Sequence, residues 1–404
     1  SAIPFDPESD PRKASGGILS GLNGAFTDLS GYFDAVLAGA PAINNMMLVG
    51  HNTIRSLVMD DPKQAPSQRD LKAMSGHVER ALEQGACGFS TGLIYHPGRY
   101  SQTEEIVALA ELAGRTGALY TTHMRNEGDH LLDAVEEALR IGVEAKVHTH
   151  ISHHKAAGAA NWGKVVPSLA RIDAAIAAGQ RVSLDVYPYT AGSGRMIEYF
   201  NLDRINRDLA EVIRIASCPA YREYEGQMLK DIAKAQDVDI TDLVRDILTA
   251  PRGADTICIQ FIIDEQDVEH NLRWRDMMVG SDGIPNLRGK PHPRLYGTFA
   301  KILGYYVRER ALMSLPEAIR RMTSLPAATF GMTQRGMIRA GFQADLLLFD
   351  PATVQDTATY DEPQQLAAGI RTVLVNGKIA WQDGQHQMTG SGQMLKYRAG
   401  AYAG

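Results

Sequence analysis

The sequence predicts an α/β protein: a parallel (β/α) barrel followed by a small β appendage. Three observations carry that expectation. Short apolar runs alternate with helix-spaced stretches roughly every thirty residues, the length of a βαβ unit. Several of those runs end on a residue able to do chemistry: His51, His123, His153, Tyr187 and Asp282. Past about residue 330 the helical pattern gives way to strand-like runs joined by Asn376-Gly377, a strong hairpin turn signal.

Ser1 to Gly24 is rich in Pro, Gly, Ser and Asp and reads as irregular. Phe26 to Leu37 has helical spacing, and Met46 to Gly50 is a short apolar run ending on His51. Ser67 is placed to cap a helix running to Gln84. Cys87 to Thr91 reads as a strand, and Thr103 opens a helix to Ala113. Ala118 to Thr122 ends on His123, and a helix follows from Asp129 to Ile141. Val147 to Ser152 ends on His153, a helix spans Trp162 to Ala178, and Val182 to Val186 ends on Tyr187. The rhythm breaks after Tyr189 into a charged, mainly helical insertion over about 190–250. It resumes at Met277 to Asp282, with a long helical region from Phe299 to Phe330. The barrel therefore occupies 1–330 and the β appendage 331–404.

Composition excludes several function classes. Of 404 residues, 44% are apolar and 22% charged, ordinary for a globular chain and too apolar for one that is mostly disordered. A net charge of −6 disfavours nucleic acid as a partner. No apolar run is long enough to span a bilayer. Cys87, Cys218 and Cys258 lack the close spacing of a disulfide framework or zinc ribbon. The expectation is a protein of the reducing cytoplasm, its oligomeric state open. The chain opens on Ser with no charged-then-apolar leader.

In a (β/α) barrel the C-terminal strand ends hold the active site. Two histidines on separate strands and an aspartate on a later one suit a divalent metal. A carboxylate beside a water of lowered pKa makes a hydrolase. His148 and His150 form an H-x-H pair of opposite parity to His153. If His153 faces the barrel interior, strand alternation turns that pair, and His154, toward the helices. Pro291-His292-Pro293 stiffens a loop presenting Arg294, whose fork suits a carboxylate. Lys155 lies two residues past His153, and Gly192-Ser193-Gly194 reads as a flexible loop able to present Ser193.

Gly50-His51-Asn52-Thr53-Ile54-Arg55, Phe89-Ser90-Thr91-Gly92-Leu93, Thr122-His123-Met124-Arg125, Ile151-Ser152-His153-His154-Lys155, Asp185-Val186-Tyr187-Pro188-Tyr189, Gly280-Ser281-Asp282-Gly283 and Pro291-His292-Pro293-Arg294-Leu295 occur in that order. Arg335-Gly336-Met337-Ile338, Ala344-Asp345 and Val375-Asn376-Gly377 follow. Together they resemble the N-acyl-D-amino-acid deacylases (D-aminoacylases) of the amidohydrolase superfamily, over nearly the whole chain.

That resemblance implies a metal-dependent (β/α)8 TIM barrel with a small β-sandwich built from both ends of the chain. It implies zinc, held tightly by His123 and His153, with a second, weaker site open to Asp282. It makes Asp282 the acid/base, and Lys155, Tyr187 and Arg294, with Ser193 nearby, the holders of a substrate α-carboxylate. The expected reaction is hydrolysis of N-acyl-D-amino acids to a carboxylate and a free D-amino acid. Arg195-Met196-Ile197-Glu198-Tyr199-Phe200, mostly apolar, leans toward a neutral or hydrophobic amino acid, with Arg195 keeping an acidic one open. The alternatives are a cyclic-amide hydrolase of the same superfamily and a non-catalytic scaffold that has lost its metals. The family also begins with an H-x-H strand and a second strand ending in a zinc-binding cysteine. Neither appears in this numbering, and the expectation is that this segment precedes residue 1.

Overall fold

The computed structural model describes residues 26–285 and 288–398. Fifteen strands follow in chain order. They are β1 (Asn45–Met46), β2 (Val49–Gly50), β3 (Gly88–Gly92), β4 (Leu119–His123), β5 (His148–Ile151), β6 (Val182–Val186), β7 (Gly192–Arg195), β8 (Ile213–Ser217), β9 (Ile257–Gln260), β10 (Met277–Val279), β11 (Leu346–Phe349), β12 (Ile370–Val375), β13 (Lys378–Gln382), β14 (Gln385–His386) and β15 (Met394–Leu395). Six of them form one sheet in the order β10-β6-β5-β4-β3-β2. Every pairing in it is parallel. Helices Gln68–Glu83, Thr103–Thr116, Leu131–Glu144 and Val165–Ala177 connect successive strands, so the sheet is an arc of a (β/α) barrel.

Local chemistry sets the helix ends. Ser67 caps Gln68–Glu83 in a capping box, its side chain accepting from the Asp70 amide while Asp70 accepts from the Ser67 amide. Thr103–Thr116 carries Glu104 and Glu105 in its first turn and ends at Gly117 in the left-handed conformation, φ 75°. The predicted long helix from Phe299 to Phe330 is instead broken into Arg294–Lys301, a π-helical stretch Ile302–Glu309, Leu315–Met322 and Ser324–Thr329. Pro316 begins one of these pieces, where its missing N–H costs nothing, and could not have sat inside a continuous helix.

The register divides the sheet into two faces. Ile151, Leu184 and Met277 pack with Val135, Leu169 and Ile172 of the covering helices. Burying each such side chain stabilises the fold by about 1.5–3 kcal/mol. The other face carries a polar row in register, Ser90–Thr121–His150–Ser183, across β3 to β6. His148 and His150 therefore face the barrel interior, not the helices. The parity argument fails because β5 ends at Ile151 and the chain turns at Ser152-His153, where φ of His153 is +41°. Alternation counts residues only while the strand lasts.

The insertion after Tyr189 carries more helix than strand, as expected, but it also holds strands that the pattern does not announce. It contains an antiparallel sheet in the order β7-β9-β8, packed on helices Leu229–Gln236 and Ile240–Thr249. Ser193 thus sits on a strand, paired with Ile259, and not on a flexible loop. The C-terminal strands form an antiparallel sheet in the order β11-β12-β13-β14. Asn376 and Gly377 both have positive φ, as the two-residue turn between β12 and β13 requires. Cys87, Cys218 and Cys258 are buried and free. Among the described residues no helix is long and apolar enough to cross a membrane.

Candidate metal and carboxylate site

The C-terminal ends of β4, the turn after β5 and the loop after β4 bring His123, His153 and Glu127 together. One potential ligand atom from each lies within 4.8 Å of the others. The two imidazole rings are 4.5 Å apart. His123 Nε2 is buried with no hydrogen-bond partner among the described residues, 3.6 Å from Glu127 Oε2. An unpartnered buried nitrogen facing a carboxylate is costly unless something completes it. Burial drives the His123 imidazole down to about 3, against the opposing pull of Glu127. It is therefore neutral at pH 7, the form that ligates a metal.

Glu127 is a residue that the sequence did not single out. Its Oε1 lies 2.5 Å from Lys155 Nζ and 3.1 Å from His153 Nδ1. Burial alone would raise its carboxyl, but the adjoining His123 imidazole, Lys155 ammonium and His153 imidazole outweigh that and hold it well below the usual range. Lys155 Nζ also lies 2.8 Å from His153 Nδ1. Tyr95 was equally unmarked; its ring stands 4.6 Å from that of His123 and its hydroxyl 3.4 Å from His123 Nδ1.

A second cluster adjoins the first. Arg294, 1% exposed, packs its guanidinium 4.5 Å from the centre of the Tyr187 ring. Its Nη2 lies 3.0 Å from Asp282 Oδ2 and donates to the Ser193 carbonyl at 3.4 Å. Its Nε and Nη1 are buried with no partner among the described residues. Each of these nitrogens makes a two-donor fork together with Nη2, and such a fork fits a carboxylate. The loop is fixed by His292, whose Nε2 meets the Ala191 carbonyl at 2.9 Å while its Nδ1 accepts from the Arg294 amide at 3.0 Å. Burial pushes the Tyr187 hydroxyl well above its ordinary value, so it stays a donor at neutral pH. Lys155 Nζ is 5.6 Å from the same ring, which links the two clusters.

Asp282 closes the arrangement. Its charge reaches His123 as well as Arg294. Like His153 it adopts a left-handed backbone, with φ +45°. Non-glycine residues in this region are uncommon and concentrate where a site over-determines the backbone. The structure thus gathers His123, His153, Lys155, Tyr187, Arg294 and Asp282, with Ser193 contributing its backbone carbonyl. His51 is not among them. It is buried in a separate ionic network, 2.8 Å from Glu105, which also pairs with Arg55.

Comparison with known proteins shows what the chain resembles as a whole. Residues 275–380 match the model of the Amidohydrolase family. A D-aminoacylase from Alcaligenes xylosoxydans xylosoxydans is 42% identical over 89% of this chain and 72% of its own length. An N-acyl-D-glutamate deacylase from the same organism is 43% identical over 89% of this chain and 71% of its own. A crystal structure of N-acyl-D-glutamate deacylase from Bordetella bronchiseptica, complexed with zinc and a phosphonate mimic of the tetrahedral intermediate, superposes with a TM-score of 0.89. It is 40% identical, over 98% of this chain and 80% of that one.

Proposed function

The chain belongs to the N-acyl-D-amino-acid deacylase (D-aminoacylase) family of amidohydrolases, and we propose that it hydrolyses linear N-acyl-D-amino acids with zinc held by His123 and His153. The observation that carries the reading is one juxtaposition. An unpartnered imidazole nitrogen on His123 stands next to a cluster in which Arg294 keeps two unpartnered donors. The first fits a metal ion and the second fits a carboxylate. The division of the chain into a barrel over 1–330, interrupted over about 190–250, and a β unit over 331–404 is part of the same reading.

When bound, zinc supplies Lewis-acid polarisation of the amide carbonyl and a water of lowered pKa. Asp282 takes the proton from the attacking water and returns it to the amine nitrogen, which otherwise leaves poorly. It is also the side chain open to a second, weaker metal. Arg294, Tyr187 and Lys155 hold the α-carboxylate, with Ser193 beside them. Gripping that group fixes which hydrogen or side chain of Cα faces the scissile bond, and so sets the D configuration. Glu127 neutralises Lys155 and stands ready as a further carboxylate beside the two imidazoles.

The side-chain preference is for neutral or hydrophobic residues. Arg195, the cation that would favour an acidic side chain, donates to the Ala254 carbonyl at 3.1 and 3.3 Å and lies 3.9 Å from Glu198. An acidic group arriving there would have to displace those contacts and face Glu198.

Arg294→Lys tests the reading and separates linear from cyclic substrates. Lysine keeps the charge and loses the fork. kcat/KM for N-acetyl-D-methionine should fall about ten- to a hundredfold, the worth of a hydrogen bond to a charged group. The matching N-acetyl-D-methioninamide, which has no carboxylate, should show no greater defect than it already has with wild type. Equal losses on acid and amide would make Arg294 structural and return the cyclic-amide hydrolase to favour.

A further inference from the structure

Asp185 takes no part in the chemistry just described, yet three of its atoms are committed to the segment that bears His153. Its Oδ1 accepts from the His153 amide at 2.7 Å. Its backbone carbonyl accepts from the His154 amide at 2.8 Å. Its Oδ2 lies 2.7 Å from His150 Nε2. A carboxylate only accepts, so His150 donates from Nε2, and its Nδ1 lies 2.9 Å from Ser183 Oγ. The interior row of the sheet thus ends in a carboxylate aimed at the turn beyond β5.

That turn needs holding. His153 has φ +41°, a conformation that costs a non-glycine residue of the order of 1–3 kcal/mol unless its surroundings impose it. The same turn sets where Lys155 begins. On the far side the segment is pinned by His154, whose ring contacts Asn271 Oδ1 at 2.6 Å and Ser168 Oγ at 2.7 Å, with Asn271 Nδ2 donating to the His154 carbonyl at 3.0 Å. Across the sheet, a Cβ on Gly280 would lie 2.9 Å from Asp185 Oδ1, so only glycine there leaves the carboxylate its place.

We propose that Asp185, oriented by His150, is a positioning residue: it holds the left-handed His153 turn and thereby aims the His153 imidazole and the Lys155 ammonium into the centre. The proposal rests on the reading of His123 and His153 as metal ligands. Partners standing behind metal ligands commonly contribute 10–100-fold in metal affinity, which sets the expected scale.

The test is zinc affinity, by competition with a chelator, alongside kcat and KM on N-acetyl-D-methionine. Asp185→Ala should weaken zinc binding about 10–100-fold and raise KM through Lys155. Asp185→Asn keeps an oxygen for the His153 amide and should recover most of that affinity. Gly280→Ala pushes the same carboxylate from the other side and should weaken zinc in the same direction, so the proposal stays testable even where Asp185→Ala does not fold. His153→Ala is the control. If it loses zinc while Asp185→Ala and Gly280→Ala both keep wild-type affinity, the positioning role is wrong. If Asp185→Asn is as defective as Asp185→Ala, the carboxylate acts by charge and the proposal also fails. If His153→Ala itself binds zinc as wild type does, the ligand assignment fails and the proposal goes with it.

Discussion

The interior of the sheet and the turns just past its C-terminal ends present the same residue types to opposite purposes. Within β5, His148 and His150 are satisfied by Ser183 and Asp185, with ring nitrogens 3.0 Å and 2.7–2.9 Å from their partners. At the strand ends and just beyond them, His123, the last residue of β4, keeps an unpartnered nitrogen, while His153 and Asp282 sit in left-handed backbone at φ +41° and +45°. Function in this fold is stored at the strand ends. The two β5 histidines are held by the ladder and bond to side chains of the neighbouring strand β6. The strand-end groups are strained at His153 and Asp282 and unpartnered at His123 Nε2.

The largest effect that this contrast predicts is at Asp282. Asp282→Asn keeps the size of the side chain and removes its basicity, so kcat on N-acetyl-D-methionine should fall by about 10² or more, since positioned proton transfer contributes 10²–10⁴-fold. Near-normal turnover would take Asp282 out of that role and blur the distinction between turn and strand.

The smallest effect is at His148. It faces the same interior as His150 but its Nε2 is spent on Ser183, and it makes no contact with the His153 turn among the described contacts. His148→Ala should leave the zinc content of the protein unchanged, read by metal analysis after dialysis. Loss of zinc would show that the strand interior supplies ligands and that the two regions are not functionally distinct.

The sequence made the turn residues legible and the strand residues misleading, for physical reasons. An apolar run that stops on His123, His153, Tyr187 or Asp282 marks a strand end whatever the backbone does next. Which way His148 and His150 point depends on where β5 stops, and Ile151-Ser152-His153 carries no glycine or proline to announce the turn. Glu127 was invisible because it lies in a polar loop, Arg125-Asn126-Glu127-Gly128-Asp129, where one more carboxylate reads as solvated surface. Only folding brings it 2.5 Å from Lys155. The antiparallel sheet holding Ser193 was missed because Gly192-Ser193-Gly194 has little strand propensity of its own. It is a strand through its pairing with Cys258, Ile259 and Gln260. The hairpin at Asn376-Gly377 was legible because only such a pair tolerates two successive positive φ values.

His123 and His153, on this reading, serve a zinc-dependent deacylase selective for the D configuration. The direct measurement is release of free amino acid from N-acetyl-D-methionine and from its L enantiomer, using protein loaded with zinc, stripped of it by a chelator, and loaded again. The D substrate alone should be cleaved, and the activity should vanish on stripping and return with zinc. Cleavage of both enantiomers alike, or D-methionine release that persists undiminished in the stripped protein, would contradict it.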